Sequence, residues 1–234
     1  MSKKHDSTQN TTSTKTFVGN ARSVRLTHLF AHHFGGYYFR RAERTMQKQW
    51  DELIHPSLKA ILGLNLENVL ELAPGYGRNS AQLLPLIGRQ LHLVDANAIC
   101  IQRCRERFST YPGPVEISYY VNDGASLNEL ADASVTFIYT FDSMVHFDLH
   151  LTQAYLKEFA RVLTRGGHGF IHHSNAGARS KRFWLFNPGR RSAVTIAQFA
   201  ECCIKAGLEV ASQKPLAWGG VPDLDGITVV QRLN

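Results

Sequence analysis

The stretch "LELAPGYGRNS", Leu70 to Ser80, decides the fold. A short apolar run ends at Leu72, and Pro74, Gly75 and Gly77 follow at once, ahead of a segment with helical spacing. That order reads as strand, tight turn, helix. Glycines in such a turn let a ligand approach the main chain within hydrogen-bonding distance, because no Cβ stands in the way. A G-x-G alone is common in tight turns, so the surrounding chain has to say what passes there.

Working outward, "NVLELA" is a first buried strand, and "RNSAQLLPLI" is a helix shortened or bent by Pro85. "QLHLVD" is a second strand, followed by a helix from the N-cap Asn97 to about Phe108. "VEISYYV" and "SVTFIYTF" are the third and fourth strands. A helix then runs from the cap Asp148 to Leu163 with Gly166 as its stop, and "GHGFIHH" is a fifth strand. The last helix, near Thr195 to Ala206, ends at Gly207 before "LEVASQ" and "GITVVQRL". The link between these two contains Pro215, Gly219, Gly220, Pro222 and Gly226, too short and broken for a crossover helix, so the pair is antiparallel. The prediction is an α/β fold: a doubly wound, seven-stranded, mostly parallel sheet of Rossmann-like type with a terminal antiparallel hairpin. Its ligand sits at the carboxyl ends of the central strands.

Upstream, Met46, Trp50, Leu53, Ile54, Leu58, Ile61 and Leu62 recur at three- and four-residue steps, which predicts an amphipathic helix from Ala42 to Leu62 with a kink at Pro56. Residues 1–20 hold too few apolar groups to offset ordering entropy and read as a mobile tail. Residues 21–66 form a helical segment that Gly35 and Gly36 allow to fold over a ligand as a lid, and residues 67–234 form the main domain. The 234 residues, 44% apolar, suit one such domain. No window approaches a membrane span and no signal peptide opens the chain, which predicts a soluble cytoplasmic protein. Cys100, Cys104, Cys202 and Cys203 make no C-x-x-C pair and read as small core residues. A net charge of +7 favours an anionic partner without identifying it.

Two acids give the glycine turn its meaning. Asp95 ends the second strand, where a carboxylate can accept from vicinal ribose hydroxyls, and Asp123 follows the third, where it can accept from an adenine amine. In this order the sequence resembles the class I S-adenosylmethionine-dependent methyltransferases, over about Asn68 to Asn234. "LELAPGYG" is similar to their first motif, with Glu71 as its acid, Ala73 in place of the first glycine, and Gly75 and Gly77 retained. "LVDAN", with Asp95 and Ala96, is similar to the ribose motif, and "NDG", with Asp123 and Gly124, to the adenine-side motif. The resemblance implies S-adenosyl-L-methionine as cofactor, held by these residues and by Phe141 at the end of the fourth strand, and implies a slightly altered turn at Ala73. A nicotinamide-binding oxidoreductase is the rival, since Gly75-x-Gly77-x-x-Ser80 approaches its G-x-G-x-x-G, but it accounts for neither Asp123 nor the hairpin.

"FDSMVHFD", Phe141 to Asp148, leaves the fourth strand where this family binds its acceptor. Asp142 and His146 stand four apart and can converge on one face of a turn, with His146 as general base and Asp142 orienting it or the acceptor. His172 and His173 alternate across the fifth strand, so one faces the crevice, and Tyr37 lies at the lid. No spacing calls for a metal. The loop "NAGARSKRFWLFNPGRR" interleaves Arg179, Arg190 and other cations with Trp184 and two phenylalanines, which suits a phosphorylated or glycosylated acceptor and also single-stranded RNA. The reading is therefore methyl transfer to oxygen on a sugar or other small hydroxylated acceptor, in a chain that could also form oligomers. A nucleic-acid methyltransferase and a non-catalytic binding protein stand as alternatives.

Overall fold

In the computed structural model the described residues are 37–179, 187 and 190–233. The 1–20 tail, the Gly35–Gly36 joint, Trp184 and the side chain of Tyr37 lie outside them.

Helix α1 (Tyr37–Gln49) runs through a π-helical turn (Trp50–Ile54) into α2 (His55–Lys59). The helix thus begins earlier than its apolar spacing suggests, and the irregularity expected at Pro56 takes the form of a wider turn just before it. Proline has no N–H to give the carbonyl of residue 52, and its ring would strike that carbonyl in a regular α-turn. The wider turn, closed by the His55 N–H on the Trp50 carbonyl, relieves both problems.

Next come β1 (Asn68–Leu72), α3 (Arg78–Leu83), β2 (Gln90–Asp95), α4 (Ala98–Arg107), β3 (Glu116–Val121) and β4 (Val135–Thr140). They are followed by α5 (Leu149–Val162), β5 (Leu163–Ser174), α6 (Ile196–Lys205), β6 (Glu209–Trp218) and β7 (Val221–Gln231). Pro85 converts the end of α3 into a 3₁₀ turn, Leu84–Leu86. The caps Asn97, Asp148 and Thr195 each accept a main-chain N–H of the first helical turn. Two boundaries differ from the sequence reading. Helix α5 stops at Leu163, already extended, and Gly166 lies inside β5, where a bulge absorbs residues between the pairings Val135–Leu163 and Phe137–His168. The proposed link before the last strand is itself mostly strand: only Gly219 and Gly220 turn, both left-handed as a tight hairpin needs.

The sheet order is β3-β2-β1-β4-β5-β7-β6, parallel except where β7 lies between β5 and β6. Side chains alternate between two helical layers. Leu70, Leu72, Ile138 and Ile171 face α5 and α6, while Val69, Leu91, Phe137 and Phe170 face α1 to α4. Fully buried Phe137, Phe159, Phe170 and Phe199 anchor these layers, each contributing roughly 1.5–3 kcal/mol by burial. All four cysteines are free and buried. Among the described residues no helix is long and apolar enough to cross a membrane. Because β1 and β4 are adjacent and their following helices lie on opposite faces, a crevice opens at their carboxyl ends.

Candidate active site

The turn after β1 is left-handed at alternate positions: Ala73 (φ 58°), Gly75 (φ 58°) and Gly77 (φ 75°). Ala73 adopts the conformation glycine takes most readily, so its substitution leaves a strained version of the turn in place. Its N–H donates to the Val94 carbonyl at 2.7 Å, which ties the loop to β2. The protein's own rings account for much of the crowding that excludes side chains here. A Cβ on Gly75 would stand 3.2 Å from Phe39, which stacks on Tyr76 with ring centres 3.8 Å apart, and a Cβ on Gly77 would stand 2.8 Å from Phe108.

Three acids stand at or near the ends of β1, β2 and β3 in turn. Glu71 is buried and accepts from the Ser80 hydroxyl; burial raises its carboxyl to about 7. Asp95, also buried, accepts the Asn97 N–H at 2.8 Å with one oxygen, and Ala96 beside it is half-buried. Asp123 is exposed and spends one oxygen on the N–H groups of Ala125 and Ser126, both at 2.8 Å, around left-handed Gly124. Bare main chain at β1 with carboxylates at β2 and β3 is a donor and acceptor set that fits an adenosyl amino acid. Phe141 is buried on His172 and Trp218, ring centres 4.5 and 5.6 Å away, and does not line the adjoining cavity.

That cavity, about 510 Å³, opens between α1, the start of α3, the segment after β4 and the β6–β7 turn. Arg41, Arg78, Asp142, His146, Arg191 and Trp218 are on its wall. Asp142 and His146 are therefore brought together, as their spacing suggested. Asp142 is left-handed (φ 61°), and its Oδ2 accepts from Arg78 at 3.2 Å while Oδ1 lies 3.9 Å from Arg191. His146 Nδ1 lies 3.1 Å from the Arg190 carbonyl. A carbonyl only accepts, so Nδ1 carries the proton and the lone pair of the neutral ring is at Nε2. The orienting contact at Nδ1 is thus a main-chain oxygen; of the two roles the sequence reading offered Asp142, orienting His146 or the acceptor, the first falls to the Arg190 carbonyl.

The two strand histidines do face opposite ways, but neither lines the cavity. His172 is fully buried: Nδ1 accepts the Asp142 N–H at 3.1 Å and Nε2 meets Asp225 Oδ2 at 3.1 Å. Asp225 also takes two hydrogen bonds from Arg191, at 2.9 and 2.8 Å. Burial alone would raise the Asp225 carboxyl, yet the hydrogen bonds from His172 and Arg191 hold it below the usual carboxylate range. His173 packs against α6, its ring 3.7 Å from that of Phe199, and burial pushes it down to about 3. Direct acceptor contact by His172 or His173 is therefore corrected to packing and positioning. Arg179 is half-buried and Arg190 exposed; neither side chain is on the cavity wall.

Sequence reasoning missed Arg78, Asp225 and Trp218 as site residues and left Arg191 among the loop cations. Arg78 carried a signal, because a residue directly after the glycine turn is delivered to the crevice with it. Asp225 and Trp218 carried none while their segment read as a broken link.

A family model described as a methyltransferase domain matches residues 69–167. No curated protein matches the chain. Among solved structures, a geranyl diphosphate C-methyltransferase from Streptomyces coelicolor A3(2), bound to Mg²⁺, geranyl diphosphate and S-adenosyl-L-homocysteine, is similar at TM-score 0.64 and 12% identity, covering 82% of this chain and 84% of that one. A SAM-dependent methyltransferase from Methanosarcina mazei gives 0.61 and 16%, covering 77% and 97%. A chain from the Haloferax volcanii complex containing the Trm112 methyltransferase activator gives 0.61 and 19%, covering 83% and 94%. Residues 69–167, from β1 into the start of β5, are a methyltransferase domain. The solved structures, each at 19% identity or less, share the fold of this chain.

Proposed function

We propose that the protein transfers a methyl group to a hydroxyl oxygen of a small acceptor, with a sugar-like hydroxyl as the first candidate, bound in the 510 Å³ cavity. The observation that carries this reading is the placement of His146 and Asp142 on one cavity wall with Arg78, the residue that directly follows Gly77 of the cofactor turn. A concave site of this size suits a small molecule better than a nucleic-acid strand.

Glu71, Ala73, Gly75, Gly77, Asp95, Ala96, Asp123 and Gly124 would hold S-adenosylmethionine, which would supply a methyl group activated by its sulfonium. His146 Nε2 takes the acceptor's hydroxyl proton, and the Arg190 carbonyl steadies the imidazolium through Nδ1–H. Asp142, fixed by Arg78, orients the acceptor by accepting from a neighbouring hydroxyl. Alignment of this kind can supply roughly 7–11 kcal/mol, against roughly 3–5 kcal/mol for a general base worth about 10²–10⁴-fold. The cavity's geometry is therefore the larger contributor. We place the reaction in the cytoplasm, a setting supported by four free buried thiols.

Incubation with methyl-labelled cofactor and a panel of hydroxylated acceptors, read by product mass and fragmentation, tests the reading. Label on acceptor oxygen is expected. Label only on carbon or nitrogen would overturn it.

A further inference from the structure

We infer that the acceptor is an anion, and that Arg41 and Arg78 seat its carboxylate or phosphate oxygens. This rests on the cavity being the acceptor site.

Among the described residues, the charges on the wall do not balance. Arg191 is 5% exposed and spends its fork on Asp225; Arg78, 11% exposed at its side chain, pairs with Asp142. Those two cations and two carboxylates cancel. Arg41 remains, and no carboxylate among the described residues pairs with it. Nor does its own helix compensate, since α1 also carries Arg40, Arg44 and Lys48, and its one acid, Glu43, is paired with Arg107. Arg41 is exposed on its helix, but a cation that lines a concave, partly apolar cavity keeps more of its field than one on a flat surface.

Both arginines line the cavity. Arg78 Nη1 donates to the Ala42 carbonyl at 3.3 Å and to Gln49 Oε1 at 3.1 Å, so its head lies against α1 one residue from Arg41. Its contacts with described residues use three of its N–H groups, all at 3.1 Å or longer. Arginine has five, arranged as a planar fork suited to oxyanions. An oxyanion lodged there receives charge-assisted hydrogen bonds from both residues, with Asp142 and His146 on the same cavity wall.

The test uses the full-length protein saturated with S-adenosylhomocysteine, into which inorganic phosphate and citrate are titrated separately by calorimetry at fixed ionic strength. At least one probe binds the wild type. Arg41→Gln weakens that binding by about tenfold or more, the scale of a charged hydrogen bond. Lys59→Gln, the same charge change on an exposed residue away from the cavity, leaves it unchanged, and Arg41→Lys recovers part of the loss. Binding of phosphate alone identifies a phosphorylated acceptor; citrate alone, a carboxylated one. Failure of both probes to bind, or equal loss in Arg41→Gln and Lys59→Gln, overturns the inference. A protein that takes up S-adenosylhomocysteine but neither anion loses this inference and keeps its methyltransferase reading; one that does not take up S-adenosylhomocysteine loses both.

Discussion

The main-chain N–H of Asp142 donates to Nδ1 of His172 at 3.1 Å, and that bond sets the tautomer of a fully buried ring. Nε2 must then carry the hydrogen that Asp225 accepts, and Asp225 in turn fixes Arg191 at the cavity. A left-handed aspartate on the wall is thus held from the core side. His172→Phe keeps the ring's bulk but strands the Asp142 N–H and an Asp225 lone pair, at about 1–3 kcal/mol for each group left unpaired. Urea unfolding should show a loss of at least about 2 kcal/mol. A stability within about 0.5 kcal/mol of wild type would remove the network from the account.

His146→Ala should lower turnover by about 10²–10⁴-fold while leaving S-adenosylhomocysteine affinity nearly intact, because the residue lines the acceptor side only. Single-turnover kinetics beside calorimetry separates the two effects. Unchanged turnover would reject His146 as the base.

Glu71 and His173 give opposite pH dependences. Glu71, raised from 4.5 to about 7, contributes stability that is full below pH 4.5 and lost as pH rises to 7. His173, lowered from 6.5 to about 3, contributes stability that is full above pH 6.5 and lost as pH falls. Between pH 4.5 and 6.5 the two slopes offset each other. Glu71→Gln leaves the histidine slope alone, so the variant should lose about 2 kcal/mol relative to wild type between pH 6.5 and 5, or roughly 4–8 °C in Tm. Parallel melting curves across that range would contradict the assignment.

Gly77→Ala should cost about 2 kcal/mol, since its φ of 75° is unfavourable for a side chain and the new methyl would stand 2.8 Å from Phe108. Ala73→Gly, by contrast, relieves left-handed strain and should be neutral or stabilising by up to about 1 kcal/mol. Chemical denaturation of the pair gives the sign of each.

The succession of strands and helices and the glycine turn were legible because both rest on local pattern. The apolar run before Gly75, the acids at Asp95 and Asp123, and the caps at Asn97, Asp148 and Thr195 each act within a few residues of themselves. The acceptor side was less legible because it is assembled from distant segments. Arg78 meets Ala42, Gln49 and Asp142 across 29 to 64 residues, and Arg191 meets Asp225 across 34. His172 and His173 show the same limit: alternation gave their opposite directions, but only the packing of Trp218 and Phe199 shows that both are covered.

Calorimetry with S-adenosylhomocysteine on the wild type and on Asp95→Ala addresses the whole construction at once. The nucleoside should bind the wild type and lose affinity by at least about tenfold in the variant, as the removal of a charged acceptor from its ribose requires. Equal binding by both proteins, or no heat with this nucleoside beside firm uptake of a nicotinamide dinucleotide, would contradict it.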